Sequence, residues 1–237
     1  MRLPRRAAVL ALLLAAAGCR HVAPPAPLPR GWEALVAKPP AFAALYRLDC
    51  CGRRDLILTV RAGDGRLLLN VAVPPGGMAM AAWVEDAGGW VNRLKAGCRE
   101  AFPRGVVPVS ETTSLPLDPG LATLLLAGLI PAGARELPEL PGLVEATTEG
   151  FVWRVRVEGP EPHCTRVVVA RPGEGKPVLV ADLESPSGPV SGAPTLVHGL
   201  SLVAGSVKAK LTLQAWHTDA PPSPPPWLSA PVCGAKP

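Results

Sequence analysis

The chain has 237 residues, 48% of them hydrophobic and 18% charged, with 24 Lys+Arg against 19 Asp+Glu. Arg2, Arg5 and Arg6 sit at the extreme N-terminus, so the rest carries 21 basic residues against 19 acidic ones and no strong basic field. Arg53-Arg54 is too short a run to argue for nucleic acid and no long basic run interleaves with aromatics, while the apolar fraction suffices for one large domain.

The three arginines precede an apolar stretch at 7–17, and Ala16-Ala17-Gly18-Cys19 fits the small-residue box of bacterial lipoprotein export signals, with alanine where leucine is commoner. A membrane-crossing helix needs about 20 apolar residues, more than this stretch offers. An ordinary cleaved signal is the alternative, since Ala15-Ala16-Ala17 also fits a cleavage site. The expectation is that residues 1–18 are a signal peptide and that Cys19 carries lipid. Acyl chains there would hold the chain to a membrane at about 0.8 kcal/mol per buried methylene. Arg20 follows the cysteine where inner-membrane lipoproteins carry aspartate, so the expected location is the outer membrane, facing the periplasm.

Residues 19–41 read as a tether, extended and semi-rigid where Pro24, Pro25, Pro27 and Pro29 crowd together. A short helix at 32–36 stops before Pro39-Pro40. Strand patterns follow at 45–50, 54–61, 66–73, 78–84, 90–94, 151–157, 164–170, 178–183, 196–203 and 207–215, about ten in all. Turn signals such as Gly63-Asp64-Gly65 and Asp86-Ala87-Gly88-Gly89 pair them as hairpins. Near the end, Val207, Ala209, Leu211, Leu213 and Ala215 alternate with Lys208, Lys210, Thr212 and Gln214, so one face meets water and one meets something apolar.

A long antiparallel sheet with one apolar face must curl or be covered. The cover is the segment after Asp118, a candidate N-cap with Pro119 at the first helical position, running through Leu121, Leu124, Leu125, Leu126, Leu129 and Ile130 until Pro131 ends it. It is apolar on nearly every side and therefore belongs inside the curl. The predicted fold is mainly β with a few helices: an antiparallel curved sheet, an incomplete barrel over residues 42–219, covered by an apolar helix. Residues 220–237, with seven prolines among the last seventeen positions, read as a tail without regular structure.

Besides Cys19 there are five cysteines, Cys50, Cys51, Cys98, Cys164 and Cys233, so at most two bridges form and one thiol is left over. Adjacent Cys50 and Cys51 are expected on opposite faces of a strand, with Cys98 the nearest distant partner for one of them, and Cys164 with Cys233 would tie the tail to the sheet. Spaced C-x-x-C pairs are missing, so no metal site is expected. Enzyme signatures and cofactor loops are missing too: no G-x-S-x-G, H-E-x-x-H or P-loop occurs. His163 and Cys164 are neighbours in a strand and point apart, while His198 and His217 lie near strand ends and read as solvated.

The order of these features resembles the lipoprotein-localisation family of LolA and LolB, over about residues 45–215. The stretch RLLLNVAVPPGGMAMAAW at 66–83, followed by LPLDPGLATLLLAGLIP, carries the resemblance: two apolar strands around a Pro-Gly turn, then a helix. The resemblance implies an apolar cavity that receives acyl chains of a lipoprotein or lipid in transit, a periplasmic carrier as delivering partner, and no bond making. Its wall is expected from Leu58, Val60, Leu67, Leu69, Val71, Met80, Trp83, Leu125, Trp153, Val155, Leu211 and Leu213, residues that otherwise simply pack a core. With 3 Phe and 1 Tyr beside 6 Trp, small and branched side chains must fill a wide sheet, so the interior is expected to be underfilled. The resemblance also implies a membrane-transfer loop at Pro74, Pro75, Gly76, Gly77 and Met78, where Met78 stands in for the family's leucine. A monomer is expected. The rival reading is a scaffold lipoprotein that helps assemble an envelope complex and carries no lipid.

Overall fold

Alternation of side chains between two faces sets the architecture. In β1 (Phe42–Cys50), Ala44, Tyr46, Leu48 and Cys50 are buried while Leu45 and Arg47 are exposed, the pattern of a strand wet on one side. The computed structural model describes residues 26–39, 41–108, 114–148, 150–184 and 196–234; the expected signal peptide and Cys19 lie outside them.

β1 is followed by β2 (Arg53–Gly63), β3 (Arg66–Val73), β4 (Gly77–Glu85), β5 (Gly88–Arg93) and β6 (Cys98–Phe102), an antiparallel meander. A small hairpin, β7 (Val107–Pro108) and β8 (Ser114–Leu115), leads into helix α1 (Pro119–Ala127). The second meander is β9 (Arg135–Glu136), β10 (Leu143–Thr148), β11 (Phe151–Glu158), β12 (His163–Ala170), β13 (Pro177–Glu184), β14 (Gly199–Ala204) and β15 (Val207–Thr218). Among the described residues thirteen strands form one antiparallel sheet in the order β6-β5-β4-β3-β2-β1-β15-β14-β13-β12-β11-β10-β9, so the first and last strands meet and fuse the two meanders. Strands β6, β9 and β10 were not expected from the sequence, because CREAF, RE and LVEATT lack a clear apolar alternation.

The helix is shorter than its sequence suggests. The Asp118 side chain caps it by accepting from the Leu121 N–H at 2.8 Å, but it ends at Gly128, which takes a left-handed φ of 63°, and not at Pro131. Ile130 lies beyond the helix yet is wholly buried. Backbone bonds hold this end: the Val197 N–H donates to the Leu126 carbonyl at 3.0 Å and the Ile130 N–H to the Leu35 carbonyl at 2.9 Å. Leu35 belongs to a single 3-10 turn, Trp32–Leu35, where a short helix was expected.

Two local features alter the predicted faces. A bulge at Gln214 pairs Tyr46 with Leu213 but Leu45 with Ala215, so the phase of β15 reverses: Ala215 is exposed, and Trp216 rather than Ala215 packs on the core. The expected tail also differs. Pro221 lies beside Gly63, the 3-10 turn Pro226–Ser229 packs on β5, and the Cys233 N–H donates to the Arg99 carbonyl at 2.9 Å, so the segment crosses the convex face and covers the β6 edge. A disulfide between Cys98 and Cys233 pins it there, and not the Cys164–Cys233 pair that the sequence suggested. Cys164 is a free, buried thiol.

Candidate functional site

The inward-facing residues of β1–β4, β14 and β15 form an apolar wall opposite α1 and the β7–β8 hairpin. Between them lies a cavity of about 70 Å³. Eight of the expected residues meet there, Leu58, Val60, Leu67, Leu69, Val71, Met80, Leu125 and Leu211, because each strand contributes its inward parity at adjoining register positions. Leu48, Val107, Pro108, Leu115, Leu117, Ala122, Leu126, Leu200, Leu202 and Ala209 complete it. Those on β1 and β14 share the inward parity of their strands and were legible by that rule; Val107 and Leu115 lie in a hairpin too short to show a period.

Four expected residues stand elsewhere. Met80 and Trp83 are an odd number of residues apart, so a strand sends them to opposite faces. Met80, Ala82 and Val84 point inward, and Trp83, paired with Leu68 and Trp90, lies on the convex side, where it is only 2% exposed. Trp153 and Val155 are wholly buried in the core, but they sit on β11 and do not line the cavity. Leu213, next to the bulge, is partly buried outside the cavity.

Two polar hydrogens are stranded in this interior. The Tyr46 hydroxyl and the Trp153 indole N–H are buried and have no hydrogen-bond partner among the described residues. Burial alone pushes the Tyr46 phenol far above its usual range, so it stays protonated and able to donate. Neither residue lines the open volume.

A second, wider cleft of about 440 Å³ lies on the other side of α1, lined by Val36, Pro39, Leu121 and Leu124 and spanned by the Lys38–Asp64 ion pair at 3.4 Å. Of the expected loop, Pro74, Pro75 and Gly76 form the turn from β3 to β4, whereas Gly77 and Met78 begin β4, with Met78 53% exposed.

Among the described residues no group of three or more His, Cys, Asp or Glu side chains is placed to hold a metal ion. The His163 Nδ1 lies 2.9 Å from the Glu161 carbonyl, while burial raises the Cys164 thiol to about 12, so this neighbouring pair has no activated sulfur. Cys50 and Cys51 break the sequence expectation: they do not point apart, and their sulfurs lie 2.6 Å from each other.

A long open antiparallel sheet curled round a helix is shared with solved structures. A domain from Vibrio parahaemolyticus described as that of an outer membrane lipoprotein-sorting protein superposes with a TM-score of 0.51 and 7% identity, over 80% of this chain and 89% of that one. A LolA superfamily protein from Nitrosomonas europaea gives a TM-score of 0.50 and 8% identity, over 81% of this chain and 91% of that one. No family model and no curated protein matches the sequence. At such identities the likeness is one of fold, and the chain has a LolA-like fold. Among the described residues no helix is long and apolar enough to cross a membrane.

Proposed function

We propose that this chain is a non-enzymatic envelope lipoprotein, anchored through lipid on Cys19 at the periplasmic face of the outer membrane, whose half-barrel takes up the acyl chains of a lipoprotein or lipid. The observation that carries this is the cavity between sheet and helix, walled by aliphatic side chains drawn from both meanders. Each methylene that leaves water for such a wall gains about 0.8 kcal/mol. At about 70 Å³ the cavity is smaller than the roughly 150 Å³ that admits benzene in an apolar core, so an acyl chain enters only as α1 lifts from the sheet. The backbone bonds of Val197 to Leu126 and of Ile130, just past the helix, to Leu35 would serve as its pivot. The exposed Met78 would meet the bilayer during transfer.

The test is uptake of a fluorophore-tagged palmitoyl chain and of a triacylated lipopeptide by the delipidated protein. Binding near one per chain, abolished by Ala122→Trp and followed by slower release to vesicles in Met78→Asp, is the expected result. Absence of uptake overturns the carrier reading.

The nearly filled interior favours a second reading, an envelope assembly lipoprotein with no lipid cargo. That reading requires a protein that co-purifies with the chain and stays bound in Ala122→Trp.

A further inference from the structure

We propose that Cys50 and Cys51 close a vicinal disulfide at the tip of the β1–β2 hairpin, a redox-active site distinct from the apolar cavity. The hairpin pairs Cys50 with Arg53, which leaves Cys51 and Gly52 as the two turn residues, at φ 57° and 76°. Two left-handed positions make the turn that suits a right-twisted hairpin, and its first position ordinarily holds Asn, Asp or Gly. A cysteine there is uncommon. It brings the exposed Cys51 sulfur back beside the buried one of Cys50, 2.6 Å away.

No other described cysteine competes. Cys98 is already bonded to Cys233. Cys164 pairs with Val157 at the opposite end of the strands, and β12 is four strand spacings from β1, roughly 19 Å along the sheet at about 4.8 Å each. The five cysteines thus resolve into two bridges and one buried thiol.

The site is open on one side. A cleft of about 300 Å³ is lined by both cysteines and presents Arg53, Arg54 and Lys208 against the single carboxylate of Asp49, which favours a small anionic disulfide as oxidant. The exposed Cys51 thiolate attacks one sulfur of that reagent, forming a mixed disulfide and releasing one thiol. Burial and the adjoining Cys51 sulfur hold the Cys50 thiol up at about 12, so its proton passes to the departing sulfur as Cys50 attacks the Cys51 sulfur and expels the second thiol. The protein loses two hydrogens with their electrons and the reagent gains both. Neighbouring Cα atoms across a trans peptide are about 3.8 Å apart, shorter than the roughly 4.4–6.8 Å span that disulfides favour, so this bond is reduced before Cys98–Cys233.

The full chain is equilibrated with excess glutathione disulfide, acid-quenched, unfolded with N-ethylmaleimide and cut with trypsin. Cleavage after Arg47 and Arg53 isolates residues 48–53, which hold Cys50, Cys51 and no other cysteine. The expected peptide is unlabelled and about 2 Da lighter than the dithiol. Under graded dithiothreitol it takes two labels before Cys98 and Cys233 take any, and in Cys51→Ser it takes a label or a glutathione adduct on Cys50. Two labels on the oxidant-treated wild-type peptide, or a cross-link from it to Cys164 or to a second chain, overturns the proposal.

Discussion

Cys98 and Cys233 are joined by a disulfide with their Cα atoms 5.1 Å apart, although 135 residues separate them in sequence. The bond fixes the far end of the segment that crosses the convex face, next to Arg99, whose guanidinium stacks 4.1 Å above the Trp90 ring.

Closing so long a loop removes much of the freedom of the unfolded chain. Cys98→Ser or Cys233→Ser is expected to lower stability by about 3–5 kcal/mol. Urea unfolding with and without reductant checks this: the wild type should fall to the level of the variants on full reduction, while the variants, in which only a bridge between the adjacent Cys50 and Cys51 is left to open, should shift by less than the wild type.

Leu125 lies on the helix face that meets the sheet and is 2% exposed on the cavity wall. Leu125→Ala is expected to cost about 2–5 kcal/mol and to widen the cavity enough to take up benzene, read by chemical denaturation and by calorimetry.

Gly89 has no room for a side chain, since a Cβ there would strike the Phe102 ring and the Trp83 carbonyl. Gly89→Ala should destabilise by about 1–3 kcal/mol. Gly175, with nothing within 4 Å of its Cβ position, is the control, and its alanine variant should stay within about 0.5 kcal/mol of wild type.

Glu145 lies between Arg154 at 3.1 Å and Arg135 at 3.2 Å. Burial pushes its carboxyl up, but the two guanidiniums outweigh this and hold it below the usual carboxylate range. A depressed folded value means that this stabilisation is present above the unfolded value of about 4.3 and is lost as pH falls through the folded one. Glu145→Gln should therefore lower the melting temperature at pH 7 and narrow its difference from wild type at acid pH.

Much of the fold was legible because a half-buried strand writes its faces into alternate residues. The stretch 66–73 was read with the bounds that β3 has, and Leu67, Leu69 and Val71 were assigned to the face that lines the cavity. The same rule exposes the misplacement of Trp83, since a residue three positions from Met80 belongs to the other face. Ala215 was beyond that rule, because one extra residue at Gln214 reverses the phase and leaves no trace in composition.

What the sequence determined by itself was local: strand and turn order, the Asp118 cap, and which side chains share a face, all set by contacts between residues a few positions apart. The tertiary structure alone decided that β1 lies beside β15, that Cys233 reaches Cys98, and that the Cys51-Gly52 turn brings two adjacent sulfurs together. It alone also decided how much of the interior α1 leaves open. Cavity volume is a small difference between the space a curved sheet encloses and the side chains that fill it, and no local pattern encodes that difference.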